Sequence, residues 1–231
     1  MATATSHSNK MIRRWPLLGP SVGLLLVWMI VPLAMTIWFS FQRYNLINPT
    51  IGGFAGLSNF KFLLLNPVLP VVVWNTILLV GSVLVISVCL GVVFAVLFDQ
   101  PFAGRSAARL MVIAPFFVMP TVSALVWKNL LMHPVNGLFA YFGNLTGFGA
   151  IDWFNNYPLA GIIMIVAWQW IPFATLILLT AIQSLPRDLI EAARMDGANG
   201  LRLFFYITLP HLGRAIAVVV MIEMIFLLQV F

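Results

Sequence analysis

The 231-residue sequence predicts an all-α membrane protein, a multi-span helical bundle with five visible spans. Three observations predict it. Hydrophobic residues make up 62% of the chain, charged residues only 8%, and long uncharged runs alternate with short polar connections. Soluble domains carry roughly a quarter charged residues. A chain this apolar has too little polar surface to cover itself in water.

The expected spans are 17–39, 71–98, 110–127, 159–182 and 215–231. Each reaches or approaches the length that crosses a hydrocarbon core as a helix. Residues 1–10 are small and polar, and Arg13 and Arg14 precede the first span. That order imitates a secretory signal. The apolar stretch is too long for a signal core and has no clear small-residue cleavage site, so it reads as a retained span. Pro20, Pro32, Pro115, Pro120 and Pro172 fall inside spans, where each is expected to kink a helix. Cys89 reads as a small buried residue of the second span. The segment from Asn48 to Gly56 reads as a turn-rich loop, punctuated by Asn48-Pro49 and Gly52-Gly53.

Orientation follows from the basic residues. With the N-terminus inside, Lys10, Arg13, Arg14, Arg105, Arg109, Arg187, Arg194, Arg202 and Arg214 lie inside, and only Arg43, Lys61 and Lys128 lie outside. This is the bias of cytoplasmic loops. Trp153, Tyr157, Trp74 and Trp127 suit an interfacial aromatic belt. The net charge of +6 is scattered between apolar runs, which argues against nucleic acid as a partner.

Catalytic and metal chemistry find little support. His7, His133 and His211 lie in different connections, no Cys/His cluster or Ser/His constellation is visible, and no metal site is expected. The sequence also holds no Walker-type phosphate loop, so no route to ATP hydrolysis is visible in it.

The informative segment is 183–214, the longest polar interruption. It reads as two short helices around a turn. Ser184 is placed to cap the first, Pro186 to sit in its first turn, and Asp188 to complement the helix dipole. Gly197 stops the first helix, Asn199 caps the second, and Pro210 is expected to end it. Leu189, Ala192 and Ala193 share one face, and Arg187, Glu191 and Arg194 another. Such a knob can fill a groove on a partner. It can equally be an interfacial connector in which Glu191 pairs weakly with Arg187 and Arg194.

Polar groups inside spans are expensive and mark candidate solute paths. Glu223 sits mid-span in the fifth helix, with Gln229 six residues on. Trp168-Gln169-Trp170 joins two indoles and an amide beside Pro172. Asn75 and Thr76 lie near the mouth of the second span. Aromatic faces and amides suit sugars or polyols.

The run Glu191-Ala192-Ala193-Arg194-Met195-Asp196-Gly197-Ala198, followed by Phe204, Ile207, Leu209 and Pro210 and preceded by Leu185-Pro186, resembles the EAA loop of binding-protein-dependent ABC importer permeases. The Pro-rich first span, Asn75-Thr76 opening the second and the long external loops are similar to the carbohydrate-type, maltose-transporter-like group. The resemblance implies a type I ABC importer permease fold in a bacterial inner membrane, multi-pass, with the N-terminus in the cytoplasm. It implies a single permease domain over 1–231, with 183–212 as the cytoplasmic coupling loop. It makes Glu191, Ala192, Ala193, Asp196, Gly197 and Ala198 the elements that couple to an ABC ATPase dimer. The other implied partners are a second permease subunit, a periplasmic or lipid-anchored solute-binding protein, and membrane lipid. ATP and Mg would bind in the partner ATPase and no cofactor in this chain, which would be a non-catalytic subunit moving a sugar or polyol. Permeases of this group have six core spans. Five are visible here, so a sixth is expected beyond a truncation at residue 231. The alternative is an ion-coupled secondary transporter, which the single intramembrane carboxylate and the lack of an internal repeat disfavour.

Overall fold

The structure is a computed structural model that describes residues 15–43, 47–48 and 52–229. The polar start, Arg13 and Arg14, Pro49, and the last two residues of the expected fifth span lie outside the described residues. The chain forms two compact units, Met1–Val71 and Val72–Phe231.

In the first unit, helix α1 (Trp15–Ser40) carries Pro20 and Pro32 inside an unbroken helix. No residue of its membrane window is buried. A helix apolar all round with no buried residue in that window belongs in lipid or against neighbours. Beyond it, β1 (Gln42–Arg43) pairs antiparallel with β2 (Gly53–Phe54), with Gln42 opposite Phe54. This small ribbon lies partly in the stretch expected to be loop. Short helix α2 (Ser58–Leu65) follows. Asn59 Nδ2 donates to the carbonyls of Ser40 and Gln42, each at 2.9 Å. One amide thus satisfies two carbonyls where helix gives way to ribbon.

The second unit is a helical bundle. Its long members are α3 (Leu69–Asp99), α8 (Pro158–Gln183) and α11 (Leu209–Leu227). Between them lie α4 (Arg105–Ile113), α5 (Pro120–Val126), α6 (Leu138–Leu145), α7 (Trp153–Asn156), α9 (Arg187–Met195) and α10 (Gly200–Leu203). The core joins Val92, Ala95 and Phe98 of α3, Ala174, Leu178 and Ile182 of α8, and Leu212 and Val219 of α11. Small residues set the approach: a Cβ placed on Gly91 would stand 2.7 Å from the Ala174 Cβ. Where lipid is as apolar as the core, such close backbone contact is a main source of helix association.

Among the described residues, four helices are long and apolar enough to cross a membrane: Leu18–Ser40, Leu69–Asp99, Pro158–Gln183 and Gly200–Leu227. The expected third span, 110–127, is not one straight helix. Arg105–Phe117 and Pro120–Leu131 meet at 107°, and count as a fifth crossing if the bent pair is one span. Two prolines five residues apart, Pro115 and Pro120, account for this. Pro115 lies in a tight 3-10 turn, Ala114–Phe117, and Pro120 opens α5. Each removes an N–H; Met119, before Pro120, is driven from helical geometry to ψ 137°, while Ala114, before Pro115, stays helical. Pro172, by contrast, is buried inside an unbroken α8.

Two burial expectations are corrected. Cys89 is exposed on α3, because in a membrane protein an apolar run supplies the outer surface as well as the core. Trp127 is buried with Met132 and Ile165, so its ring does not face outward as a belt residue's would. Trp74 and Tyr157 are exposed.

Candidate functional site

Residues 183–214 run from the end of α8 through α9 and α10 into the start of α11. Helix α9 has Asp188 in its first turn and Arg194 in its last, each complementary to the helix dipole. Asp196 follows as its last half-helical residue. The Gly197 N–H donates to the Arg194 carbonyl at 3.0 Å and the Ala198 N–H to the Ala193 carbonyl at 2.9 Å. With Gly197 at φ +81°, this is a Schellman stop, which requires a left-handed residue after the helix. The Asn199 side chain then accepts from the Arg202 N–H at 2.9 Å, capping α10.

Two details of the loop differ from expectation. Ser184 does not cap α9. It ends α8, donates to the Ala181 carbonyl at 2.7 Å and lies 3.2 Å from His211 Nε2, while the backbone of Pro186 begins α9 with no side-chain cap. Pro210 does not end a helix. A wide π turn, Phe204–Thr208, joins α10 to α11, and Pro210 falls in the first turn of α11. There it lacks an N–H inside the helix that runs from Gly200 to Leu227, directly after the π turn. Ile190 and Ala193 of α9 are half-buried, while Leu189 and Ala192 are exposed. Leu189 is 46% exposed and Met195 88% exposed. Glu191, Ala192, Arg187 and Arg194 are also exposed. The outward surface of the loop is therefore apolar side chains set among charges.

The expected solute-path residues separate. Successive helical residues are about 100° apart, so Trp168-Gln169-Trp170 cannot share one face. Gln169 and Trp170 turn toward a cleft of about 780 Å³ walled by Phe116, Phe173, Ile222 and Phe226 and by the break at residues 117–120. Val166, Gln169, Trp170 and Phe173 recur at i, i+3, i+4 and i+7, a single face of α8. Gln169 Nε2 donates to the Val118 carbonyl at 2.7 Å, supplying a donor where the helix break removes one. The Trp170 ring meets Phe173 edge-on at 5.7 Å and Phe226 at 5.5 Å. Phe116 stacks on Phe173 at 6.0 Å.

Trp168 points the other way. It meets Trp127 edge-on at 5.6 Å and lines an apolar groove of about 490 Å³ with Ile86, Met164 and Ile171. Thr76 Oγ1 donates to the Val72 carbonyl at 2.9 Å, and Asn75 is half-buried. Neither lines the cleft. Gln229 is exposed at the end of α11. Glu223 is wholly buried, and the Ser87 hydroxyl donates to its Oε2 at 2.5 Å. Sequence reasoning missed Ser87 and the cleft phenylalanines. The phenylalanine at 173 was legible in the i, i+3, i+7 pattern of α8, but Ser87 had no local signal.

Comparison with known proteins gives a concordant result. The model of the family described as "Binding-protein-dependent transport system inner membrane component" matches residues 87–231. A probable ABC transporter permease of Sinorhizobium fredii is 34% identical over 195 residues, 84% of this chain and 63% of the relative. A trehalose/maltose transport system permease of Thermococcus litoralis is 32% identical, covering 92% of this chain and 72% of the relative. A sulfoquinovosyl glycerol transport system permease of Agrobacterium fabrum is 31% identical, covering 93% and 70%. The chain thus spans between 63% and 72% of the length of these three relatives. Among solved structures, a bacterial ABC transporter that imports the acidic polysaccharide alginate matches with a TM-score of 0.75 at 22% identity, over 96% of this chain and 76% of the other. That likeness shows the fold, a helical membrane domain of the type I importer kind. The chain belongs to the family of binding-protein-dependent transport system inner membrane components.

Proposed function

We propose that this chain forms part of the translocation path of an ABC importer for a sugar or polyol, and that residues 183–212 dock on a partner ATPase. The observation that carries the reading is the α9 loop. Its outward side chains, Leu189, Glu191 and Met195, are exposed, and a glycine turn and an asparagine cap hold it. An apolar-and-charged helix held this way suits insertion into a groove. Glu191, Ala192, Ala193, Asp196, Gly197 and Ala198 are the proposed coupling residues.

The partners would be a cytoplasmic ATPase dimer that binds ATP and Mg, a second permease subunit and a solute-binding protein outside a bacterial inner membrane. The bias of basic residues supports a cytoplasmic N-terminus and puts the loop on the ATPase side. Closure of the ATPases on ATP would draw the loop and rock α8 and α11 as a pair, because the loop joins those two helices directly. Alternating access by such rocking needs a path at mid-membrane. The cleft beside Gln169 and Trp170 supports that role, since aromatic faces take sugar C–H surfaces and an amide takes hydroxyls. Glu223 turns to Ser87 instead of this cleft, so an ion-coupled mechanism gains no carboxylate there. The sugar reading draws on relatives named for trehalose, maltose and sulfoquinovosyl glycerol.

The test is uptake of labelled trehalose or maltose into proteoliposomes holding the chain with its ATPase, second permease and binding protein. Uptake should require ATP and survive collapse of the proton gradient. Leu189→Asp and Met195→Asp should abolish both uptake and co-purification of the ATPase. Uptake that persists without ATP would sink the proposal.

A further inference from the structure

Glu223 and Ser87 lie 136 residues apart in sequence, yet both are wholly buried and in contact. Ser87 belongs to α3 and Glu223 to α11. The remaining described interactions between these helices are apolar. Dispersion contacts tolerate sliding and rotation, while a short hydrogen bond between two buried groups does not. The hydroxyl has one proton to give. The carboxyl oxygen at 2.5 Å is a closer acceptor than the Leu84 carbonyl one turn back, at 3.2 Å. The other carboxyl oxygen, Oε1, is buried without a partner. Release of Ser87 would therefore leave the carboxyl with no hydrogen bond among the described residues, a costly state inside a bundle.

The neighbours of Glu223 give this bond a consequence. Ile222, one residue earlier, and Phe226, three residues later, wall the cleft with Gln169 and Trp170. Apolar residues of the same helices pack beside the bond: Leu79, Val80 and Val83 of α3 cluster with Leu227 of α11 and Ala167 of α8. The rotational setting of α11 against α3 fixes where Phe226 meets the Trp170 ring, 5.5 Å away.

We infer that Glu223 is a positioning residue: held by Ser87, it sets the rotation of α11 against α3 and so shapes the Phe226 wall of the cleft. The functional half of this inference rests on the cleft being the solute path. The structural half does not, and the two are measured separately.

The first measurement is the melting temperature of the purified, assembled transporter carrying Ser87→Ala, Glu223→Leu or both. The expected result is coupling: the double variant loses less than the two single variants together, because Glu223→Leu removes the carboxyl that Ser87→Ala leaves unpaired. Additive losses would overturn the bond itself, whatever the protein transports. The second is the ratio of uptake rates for two solutes of different size delivered by the same binding protein, per assembled complex. A folding defect lowers both rates together and leaves the ratio alone. Ser87→Ala and Glu223→Leu should shift the ratio by about fivefold, the worth of one hydrogen bond. Glu223→Gln retains an acceptor for Ser87 and should hold the ratio near that of the unsubstituted protein. An unchanged ratio in Ser87→Ala and Glu223→Leu, or a Glu223→Gln shift as large as that of Glu223→Leu, would overturn the positioning role. Absence of any sugar uptake by the unsubstituted complex would instead refute the proposed substrate, and the melting series would still decide the bond.

Discussion

Substitution of Gly197 separates the shape of the coupling turn from its contacts. Its φ is +81°, and a Cβ built there meets nothing within 4 Å. Alanine therefore adds no clash, and its whole cost is the left-handed backbone, about 1–2 kcal/mol for an L-residue. Asparagine tolerates that region better and should cost less. The turn is exposed and touches little, so the penalty falls on the population of the docking-competent loop and not on the bundle. Reduced population lowers apparent affinity in proportion. Gly197→Ala should then weaken ATPase association by roughly five- to thirtyfold, Gly197→Asn by less. Gly197→Asp adds a carboxylate beside Asp196 at the docking surface, and should abolish transport with the protein still inserted. The assay is a titration of purified ATPase against the chain in detergent, with thermal melting and membrane content as controls. ATPase binding by Gly197→Ala as tight as by the unsubstituted chain would refute the reasoning.

Three further outcomes follow from the geometry. Gly91→Val drives a side chain into Ala174, whose Cβ would lie 2.7 Å from the first added atom; overpacking there should cost about 1–3 kcal/mol, read as a lowered melting temperature. Gln169→Ala removes the 2.7 Å bond to the Val118 carbonyl and leaves that carbonyl without its donor, a loss of about 1–3 kcal/mol that should reduce uptake and raise proteolysis at the 117–120 break. Asn199→Ala removes the cap on the Arg202 N–H, worth about 1 kcal/mol, and should weaken ATPase association several-fold without altering Gln169→Ala defects, since the two sites share no partners.

Much of this was legible in the amino-acid sequence because the membrane imposes it. Long apolar runs must be helices, so α3 and α8 lie within a few residues of their expected bounds. The stop at Gly197 and the cap at Asn199 were legible because both are local backbone chemistry. The break at residues 117–120 was not. Pro115 and Pro120 reported the lost hydrogen bonds, but α8 keeps Pro172 without breaking, so a proline alone does not distinguish a kink from a 107° bend. The third span was expected to kink, and the size of its bend is what the prolines did not report. Pro210 misled in the other direction, because its place in a first turn depends on the π turn just before it. The triplet at 168–170 named the right segment, and helical rotation then assigned Trp168 to a different surface from its neighbours. Glu223 was conspicuous as a buried carboxylate, but its partner lies on a helix 136 residues away in sequence, beyond the reach of any local pattern.

The measurement that tests the coupling surface most directly is thiol labelling of Met195→Cys in a Cys89→Ser background, with and without the ATPase. Met195 is 88% exposed in the chain alone, so a cysteine there should react at the rate of an open surface thiol. Strong protection on adding the ATPase, relieved when the ATPase is removed, is the predicted result. Equal labelling in the presence and absence of a bound, active ATPase would show that the α9 loop does not dock, and would contradict the account at its centre.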